Sequence, residues 1–156
     1  MNNLKETITG HPFFHGMKPE HLDILANGAT EAKFKTEQIL FREGDPANQF
    51  YLIGSGRIAL EAHEADDGTV LVQNLGAGDV LGWSWLFPPF VWHFQARAEE
   101  PTTAIVLNGA HLLMAAERNH EFGCELMKRV AQVVIQRLQA TRKQLLADQI
   151  ESALEG

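Results

Sequence analysis

The sequence predicts a mainly β fold with flanking helices: a β-sandwich, jelly roll or barrel, preceded by short helices and followed by one long helix. Three observations predict it. Short apolar runs with a period near two fill the stretch from Glu31 to Leu107. Turn formers divide those runs: Gly44-Asp45-Pro46, Gly54-Ser55-Gly56, Asp66-Asp67-Gly68 and Gly76-Ala77-Gly78. Beyond Asn108 the apolar spacing changes to three and four, which is the period of a helix.

The elements follow in order. Leu4 to about Gly28 reads as short helices, with Pro19 suited to a first helical turn ahead of Leu22, Ile24 and Leu25. Strands are predicted at Ala32–Lys35, Gln38–Arg42, Gln49–Ile53, Arg57–His63, Thr69–Leu75, Trp92–Ala98 and Thr102–Leu107. Asn108 is placed to cap a short helix through Arg118. A long helix is expected from about Glu121 to about Asp148, with Phe122, Leu126, Val130, Val133, Val134, Leu138, Thr141 and Leu145 along one line. At ~28 residues it spans ~42 Å, more than one face of such a β domain covers. Its far end either pairs with the same helix of a second subunit or packs wholly on its own barrel. With no repeat or linker, residues 1–156 read as a single domain: helices over about 1–28, β structure over about 31–107, helices over about 108–150.

Composition narrows the function. A net charge of −7 argues against a sequence-independent grip on nucleic acid. Lys128, Arg129, Arg137, Arg142 and Lys143 cluster late in the chain, a pattern that also describes a solvated helix face. The lone cysteine, Cys124, fits a reducing compartment. The polar N-terminus has no signal-peptide core and no apolar run is long enough for a membrane span, so a cytoplasmic, membrane-free protein is expected.

The segment Leu40-Phe41-Arg42-Glu43-Gly44-Asp45-Pro46-Ala47-Asn48-Gln49-Phe50-Tyr51-Leu52-Ile53-Gly54-Ser55-Gly56 combines a Gly-Asp turn, a small residue at Ala47, four apolar residues and a closing glycine. It resembles the first signature of the cyclic nucleotide-binding domain family, in its catabolite-activator-like branch. His11-Pro12-Phe13-Phe14-His15-Gly16-Met17 is similar to the family's N-terminal helical entry. The resemblance runs from about residue 10 to about residue 148. It implies a β-jelly roll of the cyclic nucleotide-binding type with a long C-terminal dimerisation helix.

In that family a cassette of Gly-Glu, a helical turn and Arg-Ser or Arg-Thr holds the ligand. The glutamate takes the ribose hydroxyl, and the arginine pairs with the cyclic phosphate beside backbone N–H groups. Matching Gly82 and Ala96-Arg97-Ala98 puts Trp83 at the glutamate, Trp92 at the arginine and His93 at the phosphate-binding hydroxyl. Losing one partner of a buried charge pair costs about 3–5 kcal/mol, roughly two to three and a half decades of affinity. The resemblance therefore implies the scaffold without the usual pose for cyclic AMP or GMP. Strand parity sends Trp92, Phe94, Ala96 and Ala98 inward and His93, Gln95 and Arg97 outward. In Arg137-Leu138-Gln139-Ala140-Thr141, Thr141 matches the threonine that reaches the nucleobase in dimeric regulators of the family; a packed interface threonine is the alternative.

Candidate ligand-binding residues are thus Gly82, Trp83, Ser84, Trp85, Trp92, His93 and Thr141. The three tryptophans either line a site for a planar or apolar ligand or fill the cavity themselves. His93 is an anion donor, an axial haem ligand or a surface histidine. His63 and His111 lack the His-x-His spacing of metal-binding jelly rolls, and Gly82-Trp83-Ser84-Trp85 is no nucleophile elbow, so no metal, cofactor or catalytic residue is assigned. The chain ends at Gly156, and without a helix-turn-helix domain direct DNA recognition is not expected. The expectation is a non-enzymatic, dimeric regulatory or ligand-sensing module with a possible protein partner. A ligand-free interaction scaffold, plugged by Trp83, Trp92 and Phe94, stands beside it, and a cupin-like enzyme comes third.

Overall fold

The computed structural model of the chain describes residues 3–64, 68–82 and 89–155. Among them the order is α1 (Asn3–Gly10), a 3-10 turn (Pro12–Phe14), α2 (Pro19–Ala26), β1 (Thr30–Phe34), β2 (Ile39–Phe41), β3 (Gln49–Ser55), β4 (Arg57–Glu64), β5 (Gly68–Gly76), β6 (Val80–Leu81), β7 (Gln95–Ala98), β8 (Thr102–Asn108), α3 (Gly109–Arg118) and α4 (His120–Glu155). The strands form two four-stranded sheets, ordered β1-β8-β3-β6 and β2-β7-β4-β5, with antiparallel pairing throughout. This is the antiparallel sandwich of a jelly roll with flanking helices.

The unbroken apolar run Phe50–Ile53 on β3 has a physical cause, because each face of its sheet meets a different core. Phe50 and Leu52 pack with Phe14, Leu25, Leu112, Phe122 and Leu126 under the helices. Tyr51 and Ile53 pack with Phe41, Ile58, Leu60, Leu81, Trp92 and Ala96 between the sheets. Gly56 turns the chain from β3 into β4 at φ +99°; a Cβ there would meet Thr102 and lie 2.6 Å from the Pro101 carbonyl. Glycine is the residue that fits this corner.

The N-terminal helices are tied to the barrel through His11. Its Nδ1 accepts from the Phe13 N–H at 3.2 Å, and its Nε2 lies 3.3 Å from the Ile53 carbonyl, to which it donates in that tautomer. At the other end, Asn108 caps α3 through the His111 N–H, and Asn119 caps α4 through the Phe122 N–H.

Several boundaries differ from the sequence expectation. The strand expected from Trp92 begins at Gln95, because Trp92 makes its backbone bonds elsewhere: its N–H donates to the Asp45 carbonyl and its carbonyl accepts from Gly44. Parity therefore stops short of Phe94, which is 39% exposed rather than turned inward. The two-residue β6 is too short to show a period in the sequence. The final helix runs on to Glu155, 36 residues and roughly 54 Å. Its first turns bury Phe122, Leu126 and Val130, whereas Leu138, Leu145, Ile150 and Leu154 are exposed. Packing wholly on its own barrel is thereby excluded for the second half of α4. No helix among the described residues is long and apolar enough to cross a membrane.

Candidate functional site

The Gly-Asp turn of the signature sets the site's inner wall. Residues 44–47 lie antiparallel to residues 90–92: Gly44 donates to the Trp92 carbonyl, Trp92 to the Asp45 carbonyl and Ala47 to the Phe90 carbonyl. Asp45 closes its own turn by accepting from the Arg42 N–H at 3.2 Å. The turn thus pins the segment that carries Trp92.

Trp92 is 4% exposed, and its ring stacks on Phe41 with centroids 3.9 Å apart and planes 12° from parallel. Tyr51 lies beyond, with centroids 6.5 Å apart. The far edge of the indole rests on Gly82, where φ is +95° and an added Cβ would sit 2.7 Å from the ring and 2.9 Å from the Gln49 carbonyl. Gly82 is therefore needed twice, for its backbone conformation and for the ring above it. Trp92 is a packed member of the inter-sheet core, with one ring face covered by Phe41.

Space remains beside it. A cavity of about 280 Å³ lies between the barrel and α4, floored by Phe41, Leu60, Leu81 and Trp92 and rimmed by Val72, Phe94, Val134 and Leu138. Its polar side chains are Gln73, His93, Arg137 and Thr141, and no carboxylate lines it among the described residues. Of the residues expected in the site, Gly82, Trp92, His93 and Thr141 come together here. Trp83, Ser84 and Trp85 lie outside the described residues. Thr141 donates its hydroxyl to the Arg137 carbonyl at 2.9 Å, so toward the cavity it offers acceptor lone pairs.

Of α4 the sequence reading named Thr141 for the site, and not Val134, Arg137 or Leu138. Val134, Arg137, Leu138 and Thr141 follow one another at steps of three, one and three and face the cavity together. That spacing was a legible signal; what it faced was not. The Arg137 guanidinium donates to the Val80 carbonyl, tying α4 to β6. Burial pushes its pKa down to about 10, against the pull of Asp79, so it stays charged at neutral pH. Arg137 also borders a second, polar cavity of about 420 Å³, lined among others by Asp79, Arg129 and Gln136.

Arg97 takes no part in either cavity. It holds Glu61 through two bonds at 3.1 and 3.0 Å, with Glu37 at 3.0 Å and Gln95 on the same carboxylate. The Arg97 hydrogen bonds hold the Glu61 carboxyl below its ordinary value. His111 is spent on the Ile24 carbonyl. Among the described residues no group of three His, Cys, Asp or Glu is arranged to hold a metal.

Comparison with known proteins gives a consistent picture. The family model for the cyclic nucleotide-binding domain matches residues 31–119. A solved protein from Geobacter metallireducens GS-15, described as cyclic nucleotide-binding, is 30% identical with a TM-score of 0.77, over 86% of this chain and 97% of that one. A cyclic nucleotide-binding domain from Methylobacillus flagellatus KT, 19% identical, shares the fold at a TM-score of 0.83 over 94% of this chain and 85% of its own. The acetyltransferase Pat of Mycolicibacterium smegmatis is 39% identical over 70 residues, 45% of this chain and 21% of the acetyltransferase. The chain spans under half the length of that relative, as it does for the cyclic AMP receptor protein of Thermus thermophilus, of which it covers 46%.

Proposed function

The chain belongs to the cyclic nucleotide-binding domain family, and we propose that it is a non-enzymatic regulatory module that senses a small ligand other than cyclic AMP or GMP in their usual pose. The observation that carries this reading is Trp92, sealed against Phe41 and Gly82 at the position the family resemblance gives to the phosphate-binding arginine. A ligand would instead enter the adjacent cavity between the barrel and α4. Its occupancy would be felt by α4 through Val134, Arg137, Leu138 and Thr141, which line that cavity, and by β6 through the Arg137–Val80 bond. In this reading the exposed Leu138 and Leu145, two turns apart on one face of α4, pair with a second copy, so that ligand and dimer share one helix. The protein carries out no reaction of its own and binds no DNA directly.

Calorimetric titration with cyclic AMP, cyclic GMP and cyclic dinucleotides, beside tryptophan emission, tests the reading. Binding of a ligand other than cyclic AMP or GMP with a change in emission supports it. Tight binding of cyclic AMP contradicts it. The second reading, a ligand-free scaffold, is favoured by the burial of Trp92, but Phe94 stands half-open at the rim and does not plug the cavity.

A further inference from the structure

We infer that His11 is an acid-sensitive latch: a second proton on its ring releases the 3-10 turn, and with it the hold that the turn's carbonyls have on α4. The ring is 6% exposed and both of its nitrogens are committed. Nδ1 accepts from the Phe13 N–H at 3.2 Å, which places the proton of the neutral ring on Nε2, 3.3 Å from the Ile53 carbonyl. A second proton has one place to go, Nδ1. There it meets a donor instead of an acceptor, so the bond that caps the turn is lost and an N–H is left buried without a partner.

The turn joins the barrel to the helix. On one side the His11 ring reaches β3; on the other the Phe13 and His15 carbonyls accept from Nη1 of Arg129 on α4, at 2.7 and 3.0 Å. Arg129 is further paired with Glu125, one turn back on the same helix. Pro12, Phe13 and His15 also form a wall of the polar cavity, with Arg129, Gln132 and Gln136 of α4 lining it too, so release of the turn opens that cavity. The titratable and charged side chains at this junction are His15 in the turn, Asp79 after β5, and Arg129 and Arg137 on α4. Of these, Asp79 acts on the His11 ring. Burial lowers the ring's pKa below 6.5, against the pull of the Ile53 carbonyl and of Asp79. In the released turn the ring returns to its ordinary value. Release is therefore favoured as pH falls below 6.5, by up to about tenfold per pH unit until the lower folded value is reached.

The test is amide hydrogen exchange of the full chain by NMR at about pH 7.5 and about pH 5.5, corrected for the intrinsic chemical rate. The amides of Phe13, Phe14, His15 and Met17, all bonded within the turn, are expected to lose protection several-fold, up to about tenfold. The Arg129 Nε–H resonance is expected to move in step, while Leu52 and Ile105 in β3 and β8 keep their protection. The midpoint should coincide with the titration of the His11 ring signal in the wild type. His11→Gln, whose amide offers one acceptor and one donor to the same partners, is expected to keep the turn closed and its exchange flat across this range. Turn protection unchanged by acid, or lost equally from β3 and β8, would overturn the latch. So would a midpoint that departs from the His11 titration, or a loss that persists in His11→Gln. An Arg129 resonance that stays fixed while the turn opens would overturn the link to α4.

Discussion

Trp92 and Gly82 form one unit, a ring and the gap that admits it. Stacking on Phe41 and near-complete burial make Trp92 a core residue, so Trp92→Ala is expected to lose about 3–5 kcal/mol of stability in chemical denaturation. Trp92→Phe, which keeps a ring on Phe41, is expected to lose clearly less. Gly82→Ala combines a left-handed backbone with a Cβ pressed into the indole and is expected to cost on the order of 1–3 kcal/mol and to shift tryptophan emission. If Gly82→Ala left both stability and emission unchanged, the packing described for Trp92 would be wrong. The sequence matched Trp92 to the family's arginine position and left open whether it lines a site or fills one. The stack on Phe41, brought across from the other side of the Gly-Asp turn, makes Trp92 a core residue that also borders the cavity.

At the scale of elements, two attachments respond to acid. His11 ties the N-terminal 3-10 turn to β3, and burial lowers its pKa below the ordinary 6.5, so the fold prefers the neutral ring. Its contribution is complete above 6.5 and is lost as pH falls through the lower folded value. Glu61, held by Arg97 between β4 and β7, has the same sign below its ordinary 4.5. Thermal unfolding should therefore fall in two stages on acidification, and His11→Gln should remove the first, which sets in as pH falls below 6.5. A first stage unchanged in His11→Gln would assign it to another group. For α4, the exposed Leu138 and Leu145 predict that Leu138→Glu with Leu145→Glu yields monomer in sedimentation equilibrium while the wild type is dimeric. A dimer that survived both changes would place the interface elsewhere. The helix pattern was legible because its period persists for many turns; β6 and the true start of β7 were not, since two residues show no period and Trp92 exchanges bonds with a distant turn.

Over the whole molecule, the jelly roll, the capped α3 and the helix beyond it were readable from glycine turns, alternation and the Gly44–Gly56 signature, since those record local geometry. The cavity was not, because its walls come from β2, β4, β5, β6 and α4, which only the closed sandwich brings together. The chain is a scaffold of the family with Trp92 packed between its sheets and open space beside it, under the long helix; the proposed reading equates Trp92 with the family's phosphate-binding arginine. The most direct test of that claim is a calorimetric titration of cyclic AMP into the wild-type protein. The account predicts binding no tighter than about 1 mM and no movement of the Trp92 indole N–H resonance. Micromolar binding with that resonance displaced would contradict it.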